Sequence, residues 1–235
     1  MRTFTIGQLA FGALALLLAQ AAPASAVTVG NFDSGNCYPA LCNDSGTSTG
    51  QTIDWQEVYS HNAFSGPLTI DSITFFFDQS TAGLSNVLAG DYTVSLSYSA
   101  FAPGSLSTTL ANNIGSPQVL FSSGHVSGLD SANPSTTITG APFSYDPGLG
   151  DLLLEIVASN QANVPNYSGN GYFEADSSST LISRAYCVTN QSCGSSSGAL
   201  VTEFNASVPE PITLSLFGAG IAGLAGLRLR RKKSS

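Results

Sequence analysis

The sequence predicts an all-β fold: an antiparallel two-sheet sandwich or jelly roll, set between two hydrophobic ends. Three observations lead there. Asp91-Tyr92-Thr93-Val94-Ser95-Leu96-Ser97-Tyr98 places Tyr92, Val94, Leu96 and Tyr98 on one face and hydroxyls on the other, a period of two that a helix would scatter. Gly, Pro, Asn and Asp turns recur at short intervals, as in Ser65-Gly66-Pro67 and Asp146-Pro147-Gly148. No segment between the ends carries a 3.6-residue apolar stripe.

Taken in order, residues 52–59 alternate less cleanly than 91–98. Leu68-Thr69-Ile70 and Ile73-Thr74-Phe75-Phe76-Phe77 flank Asp71-Ser72, where the apolar phase shifts by one residue; a β-bulge does this. Strand-like runs follow at 118–121, 136–139, 151–157, 171–175, 181–186 and 199–204, for nine or ten strands in all. The stretches 36–50 and 189–198 are rich in Asn, Ser, Gly and Thr and read as loose loops.

Charge is sparse, 9% of the 235 residues, against about 25% in an average soluble domain. Between residues 27 and 208 one basic residue, Arg184, stands against fourteen acidic ones, a net of −13. Such a surface repels phosphate backbones, so nucleic acid is disfavoured as a partner.

The ends carry the targeting information. Arg2, the apolar run 9–18 and the small-x-small site Ala24-Ser25-Ala26 read as a secretory signal peptide cleaved after Ala26 by signal peptidase. An uncleaved N-terminal membrane helix fits less well, because the apolar run is short. The expected division is 1–26 signal peptide, 27–207 exported β-sandwich and 208–235 sorting signal.

Export meets an oxidising compartment, and the four cysteines are even in number. The spacings suggest two local staples, Cys37–Cys42 and Cys187–Cys193, each adding roughly 2–3 kcal/mol. Three connectivities remain open on sequence alone, and a four-thiolate zinc site is disfavoured by the absence of C-x2-C pairs.

At the C-terminus, Val208-Pro209-Glu210-Pro211 precedes sixteen uncharged residues, 212–227, and then the basic stop Arg228, Arg230, Arg231, Lys232 and Lys233. The length is at the short limit for a transmembrane helix. The basic residues stay cytoplasmic, so the helix runs from outside to inside. Pro209 and Pro211 keep the peptide before it extended, open to a processing enzyme. This tripartite tail closely resembles the PEP-CTERM sorting signal of bacteria. The resemblance implies an exosortase as partner, cleavage near Pro209, Glu210 and Pro211, and a route from an inner-membrane-anchored precursor to the cell surface or medium. It also implies a link to exopolysaccharide and biofilm. The region between the ends looks like a recurring group of PEP-CTERM β-domains, through residues 58–64, 70–76, 92–97 and Tyr145-Asp146-Pro147 leading into 151–154. That second resemblance names no activity.

Residues with chemical potential are few. His61 and His125 read as surface or structural histidines. Asp54/Glu57 and Asp151/Glu155 are carboxylate pairs by number; the latter, four residues apart on a strand, are separated by about 13 Å, too far for glycoside hydrolysis. No cofactor is expected, calcium being the one reasonable candidate for so acidic a domain. Asp33, Asp44, Asp130 and Asp176 sit in turns where Asp commonly bonds its own backbone. Trp55, Tyr59, Tyr167, Tyr172 and Tyr186 could stack on sugars if exposed, but strand aromatics are more often core. The expectation is a non-catalytic surface or matrix protein, with a carbohydrate-binding module, calcium-dependent or not, as the alternative and a hydrolase as the least favoured reading.

Overall fold

Two adjacent strands change sheet at the same point, and this organises the fold. Val27–Val29 (β1) is followed by Gly30, at φ +109°, and then Ser34–Asn36 (β2). Far along the chain, Ala199–Leu200 (β12) is followed by Val201 and then Thr202–Ala206 (β13). β1 pairs with β13, whereas β2 and β12 both pair with Phe173–Asp176 (β9). A Cβ on Gly30 would lie 3.3 Å from the Val201 Cα and 3.1 Å from the Ile182 side chain. Glycine therefore serves both the left-handed turn and the close approach of the two crossing segments.

The computed structural model describes residues 26–36, 52–80, 88–126, 133–163, 173–189 and 193–206. The signal segment up to Ala24, Cys37 and Cys42, Asp44, Asp130, Tyr167, Tyr172 and the tail from Pro209 to Lys233 lie outside them. The strands fall in one compact unit, residues 24–207. The remaining ones are Ile53–Tyr59 (β3), Leu68–Phe76 (β4), Leu88–Tyr98 (β5), Val119–Val126 (β6), Ser135–Tyr145 (β7), Leu152–Asn163 (β8), Ile182–Val188 (β10) and Gly194–Ser196 (β11).

The thirteen strands among the described residues form antiparallel sheets. A four-stranded sheet, β1-β13-β4-β7, faces a six-stranded sheet, β11-β10-β3-β8-β5-β6. The expected two-sheet sandwich is thus present, with a correction: a third sheet, β12-β9-β2, closes one side. The stretch 199–204, expected as one strand, is split at Val201 because its two halves serve different sheets. The bulge expected at Asp71-Ser72 is present: the β4–β7 register shifts between Ile70 and Ser72.

Inner faces follow the ladders. Ile53, Trp55, Glu57 and Tyr59 on β3 lie opposite Ala158, Ile156, Leu154 and Leu152 on β8. Apart from Glu57 these side chains join Ile70, Ile73, Phe75, Phe143 and Phe204 of the facing sheet in one core. The outer face of β3 is covered as well: Val58, Leu153 and Ala185 pack against Leu106 and Leu110 of the segment between β5 and β6. Burial on both sides is why β3 alternates poorly in sequence, whereas β5 reads cleanly.

β6 and β7 are the outermost strands of their sheets, and Pro142 is tolerated because β7 is an edge. They approach closely at Gly140, where a Cβ would meet the Phe121 carbonyl oxygen at 2.3 Å. Gly140→Ala is therefore expected to force the two edges apart and destabilise the domain by about 1–3 kcal/mol. An unchanged denaturation midpoint would show that the edges do not close at this point.

Candidate functional site

Beyond Gly140 the two edges separate and open a cavity of about 390 Å3 between the sheets. Its floor is apolar: Phe75, Val94, Ile156, Phe173 and Leu200. Residues 122–126 of β6 and 136–138 of β7 line its mouth, with hydroxyls at Ser122 and Thr136 beside the apolar Val126 and Ile138. Tyr92 also lines it, and the Tyr92 hydroxyl is buried without a hydrogen-bond partner. Burial pushes this phenol up to about 12, so it keeps its proton as a donor.

The strongest polar feature of the interior is Glu57, fully buried on β3. The Leu200 amide donates to Glu57 Oε1 at 2.5 Å. Glu57 Oε2 lies 2.5 Å from the Tyr59 hydroxyl, which is also 2.8 Å from Thr202 Oγ1. The Thr202 hydroxyl donates to the Leu200 carbonyl at 3.0 Å. A single phenolic proton cannot serve both neighbours. If Glu57 is protonated, its own O–H donates to Tyr59, Tyr59 donates to Thr202, and Thr202 donates to Leu200. The circuit then begins and ends on one residue with every donor matched. Burial, the dominant cause, raises Glu57 to about 7 against the opposing pull of its hydrogen bonds and of Arg184. The same burial and the neighbouring Glu57 push Tyr59 well up.

Arg184 stands opposite Glu57 on β10. Its guanidinium lies over the rings of Trp55, at 4.9 Å, and Tyr186, at 5.3 Å. Its Nε donates to Ser196 at 2.9 Å. Trp55 and Tyr59 are wholly buried, so neither forms a sugar platform; they are core, and Tyr186 is a half-buried ring stacked on Trp55.

Neither of the carboxylate pairs suggested by numbering alone is brought together. Asp54 and Glu57 point to opposite faces of β3, and Asp151 precedes β8. Asp54 instead neighbours Glu155: Asp54 lies opposite Val157 and Gln56 opposite Glu155, making the two acids diagonal neighbours on the outer face. Burial first, then the Glu155 charge, raises Asp54 to about 6. Glu155 is held by Gln56 Nε2 at 2.6 Å and Gln118 Nε2 at 2.8 Å.

Both histidines are exposed and donate from Nδ1 to an aspartate, His61 to Asp151 at 2.6 Å and His125 to Asp91 at 2.9 Å. Asp91 also accepts from Asn160 at 2.7 Å, and that bond, then His125, holds its carboxyl below the usual range. Asp176 accepts from the amides of Ser178 and Ser179, the turn role read for it in sequence; Asp33 instead accepts from the amide and hydroxyl of Ser177, 144 residues away, so its bond is long-range rather than local. Cys187 and Cys193 are joined by a disulfide.

Against known families, the match falls outside the sandwich. Residues 207–232 match the PEP-CTERM protein-sorting motif. The resemblance resting on Pro209-Glu210-Pro211, the apolar run and the basic tail is therefore established for the tail. A chain carrying this motif is exported toward the cell surface from a membrane-associated precursor and handled by an exosortase. No curated protein and no solved structure matches the chain.

The Glu57 circuit gives a pH dependence of definite sign. Between about pH 4.5 and 7 an unfolded chain releases the Glu57 proton while the folded one keeps it. Stability is therefore greatest below that window, falls as pH rises through it, and levels off above. Asp54 acts in the same direction up to about pH 6. Glu57→Gln, whose amide donates to Tyr59 and whose oxygen accepts from Leu200, is expected to match the parent near pH 5. Near pH 8 it is expected to exceed the parent by roughly 2–3 kcal/mol. Chemical denaturation at the two pH values checks this; a variant with the parent's pH slope would refute the protonated circuit.

Proposed function

We propose that the sandwich is a non-catalytic surface or matrix domain, delivered by signal-peptide export and released from its membrane anchor by exosortase cleavage near Pro209-Glu210-Pro211. Its working environment is the extracellular polysaccharide. The observation that carries the reading is the sorting motif at 207–232, which specifies the route and leaves the cargo's task to the domain itself.

Several features of the domain support a structural role. The carboxylates of Asp33, Asp176 and Glu155 are occupied in turns and cross-strand hydrogen bonds. Each histidine is held by a separate aspartate on the surface. The one internal cation of the exported part, Arg184, is stacked into the sheet rather than aimed at solvent. A carbohydrate-binding role would draw on the aromatics, and Trp55 and Tyr59 are unavailable for it because they fill the core.

The test is genetic and mass-spectrometric. In a parent strain the surface-extracted protein should have lost residues 1–26 and the tail from near Pro209 onward. In an exosortase-deficient strain, and in a Pro209→Ala/Glu210→Ala variant, the full tail should be retained at the inner membrane. Identical intact mass and location in parent and deficient strains would overturn the processing step.

A further inference from the structure

Strand register shows where the chain enters and leaves the sandwich. Val27, the first residue of β1, lies opposite Phe204 on β13, and Ala206, the last of β13, lies opposite Ile70 on β4. β4 begins at Leu68, opposite Tyr145, the last residue of β7. In the six-stranded sheet β3 ends at Tyr59, opposite Leu152 at the start of β8 and Ile182 at the start of β10. Leu152 also lies opposite Tyr98, the end of β5. Tyr98 joins the two sheets here: its ring is 5.6 Å from that of Tyr145, and its hydroxyl accepts from the Asp146 amide at 3.0 Å. One end of the sandwich therefore holds Val27, Ala206, the connections 60–67 and 146–151, the start of the connection from 99, and Leu181.

Exposed apolar side chains gather at the same end. Among the described residues the large ones are Phe32, Phe101, Leu120, Leu149 and Leu181. Phe101, Leu149 and Leu181 stand in these connections, and Leu149 is 73% exposed. Phe101 sits in Ala100-Phe101-Ala102-Pro103-Gly104 and Leu149 in Pro147-Gly148-Leu149-Gly150, both uncharged. The acids beside them are drawn into local bonds. Asp151 accepts from the amide and ring of His61 at 2.8 and 2.6 Å, and Asp146 from the Gly148 amide at 2.9 Å. An isolated exposed leucine needs no explanation; a group of apolar side chains beside the chain's exit has one in the sequence. Five residues, 207–211, separate Ala206 from the apolar run 212–227. A fully extended chain spans that gap in about 20 Å, so an anchored domain keeps this end within that distance of the bilayer.

We propose that this end of the sandwich rests on the bilayer while the chain is anchored, with Phe101, Leu149 and Leu181 entering the boundary between head groups and acyl chains. The contact is apolar. The one basic residue of 27–207, Arg184, lies over Trp55 and Tyr186, so the domain offers no basic cluster to anionic head groups. Three partly exposed side chains bind a lipid surface weakly. A short tether makes the contact intramolecular, at an effective concentration in the millimolar range. Cutting the chain near Pro209 removes that tether and so releases the contact together with the anchor. The inference rests on the membrane-anchored precursor proposed above and gives that precursor an orientation.

Photolabelling of the full chain in phosphatidylcholine vesicles tests this, with a diazirine on the lipid acyl chain next to the glycerol and adducts mapped by peptide mass spectrometry. Adducts are expected on 99–104, 147–150 and 180–182 as well as on 212–227. Phe32 and Leu120 are 56% and 55% exposed against 38% for Phe101, yet should stay unlabelled, because they stand away from this end. Phe101→Ser/Leu149→Ser should cut labelling of 180–182 about tenfold. A long Gly-Ser insertion between Ser207 and Val208, which leaves the sandwich untouched, should lower all three loop signals several-fold. Label on 212–227 with none on the loops would overturn the docked orientation while leaving the anchor in place. Absence of label from 212–227 would refute the anchor, and the docking with it. Labelling of Phe32 and Leu120 equal to that of the loops, or loop labelling undiminished by the double substitution or by the insertion, would overturn the docking alone.

Discussion

Glu57 lies where all three sheets meet, and the hydrogen-bond circuit that satisfies it is the junction between them. The carboxyl comes from β3 of the six-stranded sheet, the Leu200 amide and carbonyl from β12 of the three-stranded sheet, and the Thr202 hydroxyl from β13 of the four-stranded sheet. The chain changes sheet between Leu200 and Thr202, and such a change interrupts the ladder and leaves backbone groups to be answered by something else. A carboxyl with its proton, a phenol and a threonine hydroxyl answer them in sequence. An apolar residue at position 57 would leave the Leu200 amide without its acceptor, which explains why an acid is kept at a fully buried position despite the desolvation it suffers.

The same economy of charge runs through the domain. With one cation among residues 27–207, acidic groups cannot be balanced by ion pairs. They are stabilised by neutral donors instead: serine hydroxyls and amides around Asp33 and Asp176, glutamine amides around Glu155, an asparagine beside Asp91. Hydrogen bonds from neutral donors lose less to salt than exposed ion pairs do, which suits a domain exported toward the cell surface. Arg184 conforms to the pattern by lying over the rings of Trp55 and Tyr186, with its Nε donating to a serine.

How much of this was legible in sequence depends on how far apart the determining residues lie. β5 is legible because one of its faces is wet, and the bulge in β4 because a single extra residue shifts an alternation that can be followed by eye. β3 is harder, since the segment that covers its outer face, around Leu106 and Leu110, lies some fifty residues downstream. The division of 199–206 into two strands leaves no local mark, because it is dictated by β9 on one side and by β1 and β4 on the other. For the candidate site the limit is sharper. Glu57 was visible as an acid, but numbering pairs it with Asp54, on the opposite face, while its partners are Tyr59, two residues on, and Leu200, 143 residues away. Gly124 and Tyr92 are likewise brought together only by the β5–β6 ladder. The sorting tail is the opposite case, fully legible because a processing enzyme and a bilayer both read it as a linear string.

Leu200 connects the two interior features. Its backbone closes the Glu57 circuit and its side chain forms part of the cavity floor. A residue at a change of sheet would ordinarily be free to shift, since it has neighbours of a single ladder on one side only. Here its amide donates to Glu57 of the six-stranded sheet, its carbonyl accepts from Thr202 two residues on, and Tyr59 donates to Thr202, which ties the strand that follows to the same sheet. The floor therefore keeps its shape where the overlying edges of β6 and β7 are apart and give it no support. An open space between two sheets tends to collapse unless its walls are held from behind. In this domain the wall is held by a fully buried acid, so a costly polar group and the apolar opening between β6 and β7 are parts of a single arrangement.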